Sequence, residues 1–300
     1  MTPPYRAMAF GCTWQSDIPL PSFESDPGEA EPDILVSQSH GPPPDRGDSP
    51  SASRLRNLPG GSRFIVEGIA TIDTYGGKRA EIYLGLNWSG VMPVEFFGSV
   101  SGLFMTWRGA IAMHGSAVEW NGHAILICGH SGAGKSTLAA ALIARGARLI
   151  SDDLSILHPR KANQPPLLYA GRRAMRLFPD IAQMLGDRVL CTEAPGSVDG
   201  KKLVVPPRIP ATQAVPLGQV IVLDDEILQT QSTQEQEASQ ILEAHLYRPR
   251  AYAQIPGLFL RQAQIKSLAR IVPVSTMQRQ EARNARQFEM IAEVAENKLT

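Results

Sequence analysis

A chain of 300 residues sets a prior of about two domains, and with 43% hydrophobic and 19% charged residues it is long enough to bury a sizeable core. Its 29 basic residues balance 29 acidic ones, so no bulk charge draws it to nucleic acid or to an anionic membrane. Cys12, Cys128 and Cys191 are too scattered for a disulfide framework or a zinc cluster, and no apolar stretch approaches a secretory signal or a membrane span, so cytoplasmic residence is the expectation.

In chain order, residues 14–50 hold eight acidic residues against Arg46 alone, and eight prolines, with Trp14 and Phe23 as the only aromatics. Such a stretch buries too little apolar surface to offset backbone ordering, roughly 1–2 kcal/mol per residue. Residues 1–60 are therefore expected to be a disordered tail in which only Ile34-Leu35-Val36 could dock. Residues 61–108 read as a small β-rich module. Phe64-Ile65-Val66, Ala70-Thr71-Ile72 and the run 80–84 are strand-like, and Tyr75-Gly76-Gly77-Lys78 is a hairpin turn. Residues 93–107 read as a helix leading into a third unit, 109–300.

That unit opens with two strands, 117–120 and 124–128, joined by Asn121-Gly122, a dipeptide suited to a two-residue hairpin turn. The second strand is almost continuously apolar, as a buried central strand should be. Gly129 to Thr137 follow as GHSGAGKST, then an Ala/Leu-rich helix over 138–144 ending near Gly146, then a strand over 148–151 that runs into Asp152-Asp153. Farther on, 154–157 and 217–223 read as strands and 158–166 and 191–202 as loops. A short helix is expected around Pro179, and longer ones over 227–246 and 277–299.

Gly129-x-x-x-x-Gly134-Lys135-Ser136 fits the P-loop pattern in full, between an apolar strand and a helix. Glycines let the backbone N–H groups of Gly129 and of Ser131, Gly132, Ala133 and Gly134 converge on phosphate oxygens, and the helix N-terminus adds its partial positive charge. Lys135 suits the β- and γ-phosphates, Ser136 can offer its hydroxyl to Mg²⁺, and Thr137 continues the cradle into the helix. ATP and Mg²⁺ are the expected ligands. A carboxylate must complete the metal site, and two strand ends compete, Asp152-Asp153 and Asp224-Asp225-Glu226. The first follows the loop helix directly, and two adjacent carboxylates suit two tasks, one on metal and one on a proton. His114 sits just before the first strand, and His130 lies inside the loop with its side chain expected to point outward. His40, His123, His158 and His245 show no metal-ligand spacing.

The stretch from Met113 to Leu157, through MHGSAVEWNGHAILICGHSGAGKS and ARGARLISDD, resembles the catalytic domain of HPr kinase/phosphorylase. The shared features are His114 in Met-His-Gly, the loop Gly129 to Ser136, the helix end Arg145-Gly146, and the strand closing on Asp152-Asp153. The resemblance implies an α/β fold: a P-loop kinase domain of the HPr kinase C-terminal or phosphoenolpyruvate carboxykinase-like type, preceded by the small β-rich module and the disordered tail. It implies a kinase acting on a serine of a protein. Carried over by position, Asp152 corresponds to the catalytic carboxylate that takes the hydroxyl proton, His114 to a residue interacting with it, and Asp153 with Ser136 to the Mg²⁺ site. The residue types alone leave the division of labour within the pair open. The resemblance also makes homo-oligomerisation an expectation.

The family's second signature, a Glu/Arg/Gly-rich segment after the Asp pair, is replaced here by Gly171-Arg172-Arg173-Ala174-Met175-Arg176-Leu177-Phe178-Pro179, which puts a reverse phosphorylase reaction and HPr itself in doubt. The layout looks more like the shorter HPr-kinase-related proteins, including lasso-peptide precursor kinases, and so points to a serine of a peptide or small protein, in particular a ribosomal precursor peptide. Arg172, Arg173, Arg176 and the segment from Lys201 to Arg208 cluster basic charge suited to phosphate or carboxylate contact. Two other readings compete: a kinase of a small hydroxylated metabolite, and a nucleotide-binding regulatory protein without transferase activity.

Overall fold

In the computed structural model the described residues are 4–44, 55–161, 163–186, 189–192, 200–224, 235–249, 253, 255–278 and 293. The N-terminal part builds an eight-stranded sheet from β1 (Tyr5–Ala9), β2 (Cys12–Ser16), β3 (Glu24–Ser25), β4 (Ile34–Ser39), β5 (Leu55–Leu58), β6 (Gly61–Val66), β7 (Ala70–Tyr75) and β8 (Arg79–Leu84). Their order is β3-β1-β2-β4-β8-β7-β6-β5. The expected hairpin turn after Tyr75 is present, with Gly76 at φ 55° and Gly77 at φ 67°, the two left-handed positions that such a turn requires.

The disordered tail expected over 1–60 is corrected. Residues 5–39 hold four strands, and β4 lies parallel to both β2 and β8, which makes the 61–108 module only part of a larger sheet. Bulk composition misled because the apolar residues are few but regularly spaced. Trp14 and Ile34 are fully buried, and Val36, two residues on, is nearly so, the period of two that a half-buried strand needs. The acidic side chains stay at the rim. Asp26 takes Arg6 at 3.1 Å, and Asp33 takes the Thr13 hydroxyl and the Arg108 guanidinium, each at 3.0 Å. Trp14 then anchors an aromatic cluster, with ring centroids 5.2 Å from Phe23, 5.9 Å from Phe96 and 5.3 Å from Phe104. Phe96 belongs to a π-helical turn and Phe104 to α1 (Ser101–Trp107), where a helix is expected from the sequence.

The second sheet positions the chemistry. Its spine is β9 (Ile111–Trp120), antiparallel to β10 (His123–Gly129), β11 (Arg148–Ser151) and β12 (Leu154–Leu157). On the far side β10 lies parallel to β17 (Val215–Asp224), which pairs with β13 (Leu167–Leu168) and β18 (Val274–Gln278). Alternation decides the two faces. Ile125, Ile127, Ile221 and Leu223 face α2 (Lys135–Ala144), whereas Ala124, Leu126, Val220 and Val222 face α4 (Glu235–Ala244) and α5 (Leu258–Ile271). A small sheet of β14 (Met175–Leu177), β16 (Lys202–Val205) and β15 (Leu190–Thr192) packs with α3 (Pro179–Met184) beside α2. The expected C-terminal helix over 277–299 is corrected at its start, since Met277 ends in strand β18; apart from 278 and 293 the rest lies outside the described residues, as do 193–199 of the expected loop. No helix among the described residues is long and apolar enough to cross a membrane.

Candidate active site

β10 delivers the chain to the glycine loop at the end where parallel β17 also finishes, with Gly129 opposite Leu223. Gly129 adopts φ 148°, and a Cβ there would come within 2.9 Å of the Leu223 carbonyl oxygen, so only glycine lets the loop leave the sheet this tightly. Gly134 at φ 95° caps α2, whose N-terminus therefore faces the loop interior with its partial positive charge. The Lys135 ammonium donates to the carbonyls of Gly129 at 2.8 Å and His130 at 2.9 Å, spanning the loop. Burial lowers the Lys135 pKa, opposed by the nearby Asp153, Cys128 and Asp152. Cys128, one step upstream, is fully buried, its thiol pushed up to about 12 by burial, and serves as a small core side chain.

The carboxylate pair occupies a break between β11 and β12, both of which lie against the one long strand β9. Asp153 carries the break at φ 70°, a left-handed conformation that aspartate tolerates better than most residues. Buried hydroxyls brace it, Ser151 and Ser155 at 2.7 Å and Ser155 donating to the Gly115 carbonyl at 2.9 Å. The break sends the two side chains to different places. Asp152 is buried and accepts from the Ser136 hydroxyl at 2.8 Å and the Ser116 hydroxyl at 2.7 Å through Oδ1, and from the Arg176 backbone N–H at 3.1 Å through Oδ2. Asp153 is half exposed, and its Oδ1 lies 3.4 Å from His114 Nδ1, which is also 3.2 Å from the Asp153 carbonyl.

His114 comes from β9 and is held from behind by a strap, its N–H donating to the His245 carbonyl at 2.8 Å while Tyr247 N–H donates to Ala112 at 2.8 Å. Burial and Lys135 lower the His114 pKa, and Asp153 pulls the other way. A cavity of ≈ 420 Å³ opens beside the loop, lined among others by His114, His130, Asp153, His245, Tyr247 and Arg248.

The structure therefore gathers the expected residues Gly129 to Thr137, Asp152, Asp153 and His114 around one loop mouth, but exchanges the expected partners within the pair. Ser136 meets Asp152, not Asp153, and His114 meets Asp153, not Asp152. The cause is the φ of Asp153, which no residue count reveals. Of the competing acidic run, Asp224 ends β17, while Asp225 and Glu226 lie outside the described residues. The strap 245–248 went unrecognised in the sequence because it reaches β9 through an isolated bridge between Met113 and Leu246, a pairing that has no local signature.

A family model of the HPr Serine kinase C-terminal domain matches residues 108–173, the segment that builds the loop, both aspartates and His114. The HPr kinase/phosphorylase of Treponema pallidum is 59% identical over 44 residues, 15% of this chain and 14% of that protein. The HPr kinase/phosphorylase of Chloroherpeton thalassium is 40% identical over 68 residues, 23% of this chain and 19% of that protein. The chain thus matches less than a fifth of the length of these relatives. A solved structure, the Hpr(Ser) kinase/phosphatase from Coxiella burnetii, aligns over 63% of this chain and 97% of that one at 14% identity, with a TM-score of 0.31.

Proposed function

We propose that this chain is an ATP-dependent phosphotransferase of HPr kinase-like type that moves the γ-phosphoryl group to a serine hydroxyl of a peptide or small protein. The observation that carries this reading is the separation of the two carboxylates at one loop mouth: Asp152 tied to the loop serine, Asp153 tied to His114 beside a cavity. A protein that only held nucleotide would need the first and not the second.

The acceptor hydroxyl attacks the terminal phosphorus, forming an O–P bond as the bond from that phosphorus to the β-γ bridging oxygen breaks and ADP leaves. The hydroxyl proton passes to the Asp153 carboxylate, which lies 3.4 Å from His114 Nδ1 while that nitrogen also holds the Asp153 main-chain carbonyl at 3.2 Å. Burial and the nearby Lys135 lower the His114 pKa, against the pull of Asp153, which favours the neutral imidazole beside the base. Lys135 and the α2 N-terminus offset phosphate charge. Ser136 and Asp152 offer one hydroxyl and one carboxylate 2.8 Å apart, a donor set that fits Mg²⁺, which is commonly bound by one or two protein oxygens together with substrate phosphates. Mg²⁺ held there supplies charge neutralisation and orientation of the terminal phosphates. Asp152 and Asp153 thus take each other's expected roles, and the first acceptors to assay are ribosomally made precursor peptides.

Asp153→Asn tests the base. Asparagine keeps the shape and tolerates the left-handed backbone. ATP binding should stay within a few-fold while phosphate incorporation, read by mass spectrometry of candidate peptides, falls by ~10²–10⁴. Undiminished transfer in this variant would falsify the assignment, and phosphate appearing only on small hydroxylated metabolites would move the acceptor class.

A further inference from the structure

We propose that Arg172 is a catalytic residue that clamps the terminal phosphoryl group of the nucleotide; this rests on the kinase reading above and names a contact it does not contain. The Nε of Arg172 is buried and has no hydrogen-bond partner among the described residues, although Asp152 and Asp153 lie close enough for their charges to act on the guanidinium. Arg63, a buried arginine, shows what a structural pairing looks like in this fold. Arg63 grips Asp73 with a two-pronged fork at 2.6 and 2.7 Å. Arg172 makes no such fork with Asp152, because the carboxylate is already taken by the hydroxyls of Ser116 and Ser136 and by the Arg176 backbone. A guanidinium nitrogen shut off from water without a partner is costly unless an anion draws the group into a pairing.

The terminal phosphate of a nucleotide is the anion that the glycine loop and the α2 N-terminus suit. The reaction spreads negative charge over the three equatorial oxygens of the transferring group, and two carboxylates beside it repel that charge. Lys135 alone does not balance both. A planar fork suits phosphate oxygens better than a point charge does.

The backbone that carries Arg172 is held on both sides, so the guanidinium is positioned in advance. Phe10 N–H donates to the Ala170 carbonyl at 2.7 Å, Gly171 N–H to Ile150 at 2.8 Å, and Arg173 N–H to Ser22 at 2.8 Å. A Cβ on Gly171 would lie 2.5 Å from the Phe10 ring, so the 170–173 segment passes at a depth that glycine allows. The N-terminal sheet thereby supplies the support for a residue of the catalytic half.

The test compares two nucleotides on the full-length chain with Mg²⁺ present: ADP, and the non-hydrolysable triphosphate AMP-PNP. Arg172→Gln should leave the ADP affinity within about threefold and weaken AMP-PNP roughly tenfold or more, while transfer falls by ~10²–10³, the usual cost of removing one transition-state donor. Arg172→Lys, which keeps the charge and loses the fork, should recover only part of the triphosphate preference. ADP binding by the glutamine variant reports an intact loop, a readout that a merely structural role would not separate from AMP-PNP. The clamp is overturned if Arg172→Gln binds AMP-PNP like the unaltered chain, or if it loses both nucleotides in parallel; in either case the kinase reading stands. An unaltered chain that binds neither nucleotide defeats the loop reading itself, and the clamp with it.

Discussion

One backbone angle at Asp153 decides the chemistry of its neighbourhood. Had β11 run straight on into β12, successive side chains would have pointed to opposite faces of the sheet. The left-handed turn instead brings both carboxylates to the loop mouth by separate routes, one to Ser136 and one to His114. The glycines of the loop were legible because positive φ values, and at Gly129 a close approach to Leu223, favour glycine, and Asp152-Asp153 because the pair ends the strand that follows the loop helix. Which aspartate met which partner was not legible, since the same two letters fit either geometry. The Ser116 hydroxyl, fully buried and 2.7 Å from Asp152, had no sequence signal at all. A hydrogen bond to a charged group contributes about 1.5–3 kcal/mol. Ser116→Ala should therefore lower the unfolding free energy by about that amount in urea titration; an unchanged midpoint would mean that Ser136 and Arg176 alone suffice to hold Asp152.

Among the elements, local turn chemistry was readable and long-range pairing was not. The hairpin of β9 and β10 follows from Asn121 at φ 49° and Gly122 at φ 85°, conformations that Asn-Gly adopts readily. The strands β1 to β4 were hidden because acidic loops and prolines dominate the average, while the energy resides in a few buried side chains. Trp14→Ala tests that account. Removing a fully buried large aromatic costs about 3–5 kcal/mol, so the whole chain should lose that much in a single unfolding transition. A variant unaltered in its denaturation midpoint would return residues 5–39 to the status of a tail. The Arg63–Asp73 pair, which bridges β6 and β7, makes a second measurement. Asp73→Ala leaves the buried guanidinium without its carboxylate, with the Pro44 carbonyl still accepting at 3.2 Å, and the expected loss is about 3–5 kcal/mol.

Across the molecule, acid acts at the junction between the two sheets. His158 stacks edge-on against Tyr169 at 5.2 Å, lies near the Phe10 backbone and leaves Nε2 without a partner among the described residues. Burial lowers its pKa to about 4, with nearby Arg108 acting in the same direction. The unfolded chain takes that proton near pH 6.5, the folded one only near 4. Between those values the unfolded state binds more protons, so stability falls as pH drops through that window and levels off below it. Burial lowers His114 and His245 as well, adding slope of the same sign. Urea midpoints between pH 7.5 and 4 should decline, and His158→Gln should flatten part of the decline; a variant with an undiminished slope would place the acid sensitivity elsewhere. This junction also bears on how the polypeptide is made. The hairpin tip at Phe10 and Gly11 leaves the ribosome well before its socket, the Tyr169 ring and the Ala170 carbonyl. The tip must wait unseated until that socket emerges, and any bulky fusion that hinders its docking would disturb the support of the 170–173 segment without touching a single residue of the glycine loop.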